Sequence, residues 1–189
     1  MIMRTPTRLL LSMMVVLLSS TSTLAQEALW EELNSKVIML YQRGELSEAV
    51  KVAEQALKVA EKTFGPNHRK VAASVNNLAE LYRAQGKYAE AEPLYKRSLV
   101  IGEKVLGPNH PDVAQSLNNL AELYRVQGKY AEAEPLYKRS LAIWEKAVGP
   151  NHPYMAQICE DMAKSYRLLG KEKEAEQLEA RAKKIRSTR

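Results

Sequence analysis

Residues 71–112 place small and apolar side chains three or four positions apart, which is the spacing of one face of an α-helix. Gly86 divides the pattern into two runs, and glycine accepts the left-handed backbone conformation in which many helices end. The residues on the two stripes are Ala72, Val75, Ala79 and Tyr82, then Ala91, Tyr95, Ser98 and Gly102. The pattern therefore predicts two helices joined by a short turn, with the second helix ending near Gly107.

The sequence of the predicted hairpin occurs twice in succession. Residues 113–154 differ from residues 71–112 at eight positions and are identical at the other 34. A period of about 20 to 50 residues is typical of solenoids, in which each unit buries its apolar face against its neighbours. Weaker copies flank this pair at about residues 29–70 and 155–189, so the sequence predicts four hairpins.

The two flanking copies diverge from the central pair. In the first copy we expect a turn one residue shorter, because Val37 and Tyr41 match Leu78 and Tyr82 at a spacing of 41. In the last copy Glu179 replaces the tyrosine found in both central copies, and a carboxylate is costly where it is buried. The last helix is therefore predicted to be a polar cap with nothing stacked on it.

These stripes carry a family resemblance, which rests on the residues Leu78, Ala79, Tyr82, Gly86, Tyr88, Ala91, Tyr95 and Ser98. They resemble the tetratricopeptide repeat. The repeat resembles the kinesin-light-chain subclass of this family in its 42-residue length, in the Asn-Asn-Leu-Ala run at 76–79 and in the linker at 107–111. The resemblance implies an all-α fold, a right-handed α-α superhelix (solenoid) of about four hairpins. It also implies that the first helices line a concave groove that binds peptides or protein segments.

The N-terminus has the order of a secretory signal peptide. Two arginines precede an almost wholly apolar run over residues 9–18, and Thr23 and Ala25 occupy the small positions before a cleavage site. We expect cleavage after Ala25, so that residues 1–25 are removed and residues 26–189 form an exported domain, periplasmic or secreted. The alternative is an uncleaved anchor, although the apolar run is shorter than the ~20 residues that span a bilayer.

Composition and charge narrow the choice of partners. With 46% hydrophobic and 26% charged residues, the chain has the composition of one folded domain. Its net charge is +6, and basic residues gather near the C-terminus at Arg181, Lys183, Lys184, Arg186 and Arg189. They suit a solvated helix end, where cations complement the helix dipole, and the alternative is contact with an anionic membrane. Export argues against nucleic acid as a partner.

The sequence contains no pattern that indicates catalysis, so we predict that the protein is not an enzyme and has no cofactor. His68, His110 and His152 recur at intervals of 42 residues, one in each of the first three copies. Equivalent positions in stacked helices lie about 10 Å apart, too far to share one metal ion. The histidines are predicted to be polar residues that flank helices. Cys159 is the only cysteine and falls at a core position, which predicts a buried thiol; the alternative is a disulfide between chains.

The first helices leave a second, polar stripe once their apolar residues face the core. The predicted groove residues are Asn76, Glu80, Arg83, Asn118, Glu122, Arg125, Lys164 and Arg167. Asparagine offers donors and acceptors to the backbone of an extended peptide, and arginine can hold a carboxylate with two bonds. The predicted partner is a protein or peptide ligand. Glu160 and Asp161 replace the asparagines in the fourth copy, which predicts a basic groove end with an acidic edge.

Two alternatives to groove binding stay open. One is a structural protein whose repeats stack end to end into a homo-oligomer through the diverged first hairpin. The other is an accessory scaffold subunit of an envelope complex.

Overall fold

The computed structural model describes residues 6–187, with side chains described from residue 23 to residue 187. The helices in that part of the chain are α1 (Pro6–Gln42), α2 (Leu46–Phe64), α3 (Arg69–Ala84), α4 (Tyr88–Leu106), α5 (Pro111–Val126), α6 (Tyr130–Val148), α7 (Pro153–Leu168) and α8 (Glu172–Ser187). The apolar segment of the predicted signal peptide falls outside the residues whose side chains are described. Within the described residues, no helix is long and apolar enough to cross a bilayer.

Histidine and glycine set the helix ends. His68, His110 and His152 precede α3, α5 and α7, and each Nδ1 accepts a hydrogen bond from the backbone N–H two residues later, at 3.2, 3.1 and 3.4 Å. Each histidine therefore caps an N–H group that the helix itself leaves unpaired. Gly86 and Gly128 have φ angles of 74° and 76°, the left-handed conformation predicted for the turn. The prediction that the histidines flank helices is confirmed.

The first turn has the same length as the others. The Gly44 N–H donates to the Tyr41 carbonyl at 3.0 Å, and the Gly86 N–H donates to the Arg83 carbonyl at 2.9 Å. Tyr41 is thus the counterpart of Arg83 in the next repeat, and the predicted spacing of 41 is wrong. Apolar positions in a helix lie three or four apart, so a shift of one residue still matches several of them.

Consecutive helices pack against each other along the chain. The first helices of the hairpins also contact one another, α1 with α3, α3 with α5 and α5 with α7. Among the described residues, α2, α4, α6 and α8 make no such contacts with each other. The array therefore curves around the odd-numbered helices, which line its concave side. The predicted all-α solenoid of helical hairpins is confirmed.

Tyrosine and alanine fill the core of the two central hairpins. Tyr95 and Tyr137 are fully buried, and so are Ala91 and Ala133 one turn before them. Small alanine side chains let the helices approach, and each buried aromatic ring contributes about 1.5–3 kcal/mol. Cys159 is also fully buried, and this burial raises the pKa of its thiol. The predicted stripes are buried except at Tyr82, which is half-buried, and the predicted burial of the cysteine is confirmed.

Replacing Ala91 by leucine is expected to lower the free energy of unfolding by about 1–3 kcal/mol, because extra carbons must enter a close-packed site. Ala91 is fully buried and clusters with Ala79, Tyr95 and Leu120. Urea unfolding followed by circular dichroism measures the loss. Ala89→Leu is the matched control, because Ala89 is exposed on the same helix. A variant at position 91 as stable as this control would contradict the assigned core.

Candidate functional site

A ladder of asparagine side chains runs along the concave side from one hairpin to the next. Asn77 Nδ2 donates to Asn34 Oδ1 at 2.7 Å, and Asn119 Nδ2 donates to Asn76 Oδ1 at 3.0 Å. The predicted site residue Asn76 uses its oxygen in this contact, and in the described part of the chain its Nδ2 has no protein partner. Because an amide nitrogen can donate two hydrogen bonds, this group is available to a ligand carbonyl.

The ladder breaks between the third and fourth hairpins. Asp161 stands where Asn119 stands one repeat earlier, and an ionised carboxylate has no hydrogen to donate. Asp161 is 9% exposed and accepts from Gln157 Nε2 at 3.0 Å and from Lys164 Nζ at 2.9 Å. The Oδ1 atom of the predicted site residue Asn118 is buried without a hydrogen-bond partner. An unpaired buried acceptor lowers the free energy of unfolding by about 1–3 kcal/mol. Fold stability therefore does not account for an asparagine at position 118.

In the third hairpin the predicted groove residues Glu122 and Arg125 form one hydrogen-bonded cluster with a core tyrosine. Arg125 Nε and Nη2 each donate to the Glu122 carboxylate at 2.7 Å. The hydroxyl of the buried Tyr137 donates to the same carboxylate at 3.1 Å. The cluster fixes the two charged groups on the groove surface and leaves the Nη1 group of the arginine for a ligand.

The second hairpin repeats this cluster. Glu80 accepts from Arg83, from the Tyr95 hydroxyl at 2.6 Å and from the Tyr41 hydroxyl at 3.3 Å. Burial would raise the pKa of Glu80, but the hydrogen bonds from Arg83 and Tyr95 outweigh it and lower the pKa. The hydrogen bond to Glu80 raises the pKa of Arg83. Both groups are therefore charged at neutral pH, side by side in the groove.

The first hairpin gives the groove an apolar end. Ile38 and Tyr41 occupy the positions that Glu80 and Arg83 hold in the next repeat, and they are 50% and 40% exposed. A cleft of about 110 Å³ is lined by Val37, Ile38, Tyr41, Asn77, Glu80 and Leu81. The sequence pattern did not predict this apolar end, because a spacing of 41 sets Tyr41 against a core tyrosine. The turn glycines Gly44, Gly86 and Gly128, which recur at one constant interval, carried the correct spacing.

The fourth hairpin neutralises its own groove residues. Lys164 pairs with Asp161 at 2.9 Å, and Arg167 pairs with Glu172 at 2.7 Å and with Glu179 at 2.8 Å. The pairs of Arg167 join α7 to α8, a contact that the stripe on one helix does not reveal. The expected basic groove end is therefore an ion-paired surface, and Glu179 lies exposed on the last helix as predicted.

Two of the basic residues near the C-terminus also have acidic partners. Arg186 Nε and Nη2 each donate to Glu160 at 2.9 Å, and Arg181 lies 3.3 Å from Glu145. Arg189 lies outside the described residues. These contacts connect α8 to α7 and α6, which favours the interpretation of a structural helix end.

A separate set of hydrogen bonds fixes the fourth hairpin on the third. Glu134 accepts from Lys138 at 2.7 Å on its own helix, and from Tyr166 at 2.8 Å and Lys171 at 2.7 Å in the following hairpin. The bonds from Lys138 and Lys171 lower the pKa of Glu134 to about 2. The groove therefore lies on helices whose mutual position is held by charge-assisted contacts.

The chemistry available to the groove is hydrogen bonding, ion pairing and apolar contact. Within residues 23–187, no group of three or more histidine, cysteine, aspartate or glutamate side chains is arranged to hold a metal ion. The three histidines cap separate helices, and the groove carboxylates are engaged with arginine and tyrosine.

Comparisons with known proteins agree with this architecture. The sequence profile of the tetratricopeptide repeat matches residues 33–99, 70–125 and 112–188. The structure of BtubC (BKLC) from P. vanneervenii is similar, with a TM-score of 0.79 and 27% identity, covering 86% of this chain and 65% of that one. A Podosopora anserina protein described as a putative kinesin light chain with nearly identical repeats has a TM-score of 0.74 and 28% identity, covering 84% and 75%.

The chain thus spans just under two thirds of the length of the first of these structures. No curated protein matches the sequence. The similarity to two structures of the kinesin-light-chain type agrees with the resemblance found in the repeat itself.

Proposed function

Because this chain belongs to the tetratricopeptide repeat family, whose fold is a scaffold for protein interactions, we propose that it is an exported module that binds a partner segment in its concave groove. The partner segment is extended and lies across the inner helices α3, α5 and α7. The observation that supports this most strongly is the repeated set of an asparagine, a glutamate and an arginine on the concave face of α3 and α5.

The spacing of the groove groups fits an extended ligand. Equivalent residues on neighbouring helices lie about 10 Å apart, and an extended chain rises about 3.3 Å per residue. Successive asparagines therefore meet ligand residues about three positions apart. Amides of Asn76 and Asn118 would hold the ligand backbone whatever its side chains, and Arg83 and Arg125 would meet its carbonyl or carboxylate groups.

Replacing both Asn76 and Asn118 by alanine is expected to weaken ligand binding about tenfold for each lost hydrogen bond. Linear peptides selected from a random display library against the full-length protein serve as the ligand. Fluorescence anisotropy then gives their dissociation constants for the wild type and for the double variant. Asn118 Oδ1 has no protein partner to lose, and replacing Asn76 removes one part-buried side-chain hydrogen bond, from Asn119, so the fold should persist.

The matched control is the double variant Asn109→Ala with Asn151→Ala. These two asparagines are exposed in the linkers of the same two repeats, and their removal should leave affinity unchanged. Equal affinities for all three proteins, with unchanged melting temperatures, would place the binding surface away from the asparagine ladder.

Export rests on the order of charged, apolar and small residues at the N-terminus. Mass spectrometry of protein from cells that express the full chain is expected to find a mature form beginning at Gln26. The contacts between the first two hairpins follow this point, since Glu27 pairs with Lys70 and Trp30 Nε1 donates to Ser74 at 2.8 Å. A product that keeps residues 1–24 in the membrane fraction would identify the segment as an anchor.

A further inference from the structure

Gln26, the first residue of the proposed mature chain, stands where a histidine stands before each of the next three inner helices. At the spacing of 42 that the turns establish, it corresponds to His68, His110 and His152. Each histidine accepts a hydrogen bond from the backbone N–H two residues later, at the start of its helix. The repeat register therefore predicts that the inner helix of the mature first hairpin begins directly after Gln26.

Cleavage after Ala25 leaves the start of this helix without its hydrogen-bond acceptors. In an α-helix each N–H donates to the carbonyl four residues earlier, so residues 27–29 lose the partners that residues 23–25 supply. The new α-ammonium group also places a positive charge at the helix N-terminus, where the helix dipole favours negative charge. Glutamine is not among the residues preferred at this position, so helix capping by an ordinary side chain does not account for Gln26.

A cleft of about 210 Å³ lies beside this residue and is lined by Thr23, Gln26, Lys62 and Thr63. Thr23 leaves with the proposed signal peptide. The Oγ1 atom of Thr63 is buried and has no hydrogen-bond partner in the described part of the chain. The equivalent residues of the next two copies are Val105 and Ala147, so the hydroxyl is specific to the first hairpin. The first hairpin thus has an unused acceptor next to the proposed N-terminus.

We propose that Gln26 is a modification site, at which the mature N-terminus closes into a pyroglutamate ring that docks on Thr63. This inference rests on the proposed export and cleavage. The neutral α-amine attacks Cδ of the Gln26 side chain, and a new C–N bond forms. The bond from Cδ to Nε2 breaks, and Nε2 leaves as ammonia with one proton from the amine. The reaction needs no oxidant, reductant or further reactant.

The surroundings of Gln26 favour both the reaction and its product. Lys62 is exposed, lines the same cleft and has no ion-pair partner among residues 23–187, so it repels an α-ammonium and favours the neutral amine. The product carries no charge at the helix N-terminus. Its ring N–H can donate to Thr63 Oγ1, and its ring carbonyl can accept from the Ala28 N–H, as the histidines accept from the N–H two residues on.

Mass spectrometry of the exported protein tests the modification. Free amines are labelled by reductive dimethylation at harvest, before digestion, so that a ring formed during handling is distinguished from one formed in the protein. The expected N-terminal peptide begins at residue 26, carries no label on its α-nitrogen and is lighter than the unmodified peptide by one ammonia, about 17 Da. The matched control Gln26→Ala should be cleaved at the same site and carry the label.

The two proposals fail in different ways. A wild-type peptide that begins at residue 26 and carries the label would overturn the ring and leave the proposed cleavage standing. A chain that keeps residues 1–25 would contradict the proposed cleavage and this inference with it.

Pyroglutamyl aminopeptidase, which removes an accessible N-terminal ring, tests the docking on Thr63. The folded wild type should lose the ring roughly tenfold more slowly than Thr63→Val, which lacks the hydrogen bond. Valine is the residue at the equivalent position of the next copy, so this variant should fold. Thr63→Ser keeps the hydroxyl and should protect the ring as the wild type does.

Equal rates of ring removal from the wild type and from Thr63→Val would overturn the docking. If the valine variant does not fold, a synthetic peptide of residues 26–35 that carries the ring supplies the comparison. A wild-type protein that loses its ring as quickly as this peptide would overturn the docking as well.

Discussion

Replacing Tyr137 by alanine will lower the free energy of unfolding by about 3–5 kcal/mol, the range observed when large aromatic residues are removed from protein cores. Tyr137 is fully buried and clusters with Ala121 and Ala133 of its own hairpin and with Met155 of the next. The loss therefore falls on the interface between two repeats as well as on one hairpin. Native proteins have total free energies of unfolding of about 5–15 kcal/mol, so this loss is a large fraction of the total.

Two further variants separate the ring from its hydroxyl. Tyr137→Phe removes only the hydrogen bond to Glu122 and should cost about 1.5–3 kcal/mol, because the acceptor is charged. Val100→Ala, at a residue 62% exposed, should stay within about 0.5 kcal/mol of the wild type. Urea midpoints at constant slope measure all three. A Tyr137→Ala protein within about 1 kcal/mol of the wild type would contradict the core described here.

Reversing the charge of both groove arginines is expected to abolish binding of acidic peptides. Arg83 and Arg125 each neutralise a glutamate three residues earlier, so Arg83→Glu with Arg125→Glu turns two neutral pairs into four negative charges. Like charges brought together at an interface cost several kcal/mol, which corresponds to a loss of roughly 100-fold or more in affinity. Anisotropy titrations with peptides that carry carboxylates measure this loss.

The chain offers a control with the same change in net charge. Arg97 and Arg139 are equivalent residues on the outer helices. Arg97 pairs with Glu61, and Arg139 pairs with Glu103 at 2.6 Å. Arg97→Glu with Arg139→Glu should leave peptide affinity within a few-fold, since these residues lie outside the groove. Arg83→Gln with Arg125→Gln should give an intermediate loss. Equal binding by both charge-reversed proteins would mean that the arginine pairs do not contact the ligand.

The fold could be predicted from the sequence because equivalent residues of a solenoid have the same surroundings in each repeat. Two nearly identical copies with periodic small and apolar residues were enough to assign the core positions Ala91 and Tyr95, which are fully buried. The same periodicity could not fix the register of the diverged first copy. There the repeated hydrogen bonds around Gly44 and Gly86 decide the spacing, and the sequence signal of Val37 and neighbouring apolar residues is compatible with either choice.

For the groove, the sequence predicted only which types of residue lie along one face of each inner helix. Helical spacing put Glu80 and Arg83 on one face, but their bond to the buried Tyr95 depends on how two helices pack. The ladder contact between Asn119 and Asn76 joins residues 43 positions apart, and spacing along one helix contains no information about it. Contacts between helices set the chemistry of the groove, and they are seen only once the packing of the helices is known.

Site-directed photo-cross-linking tests the groove most directly. A photo-reactive amino acid replaces Ala73, which is exposed beside Asn76 on the concave side, or Val100, which is exposed on the outer helix α4. The selected peptides are added, and mass spectrometry identifies the cross-linked fragments. Binding in the concave groove predicts cross-links from position 73 and none from position 100. Cross-links from position 100 without any from position 73 would contradict it.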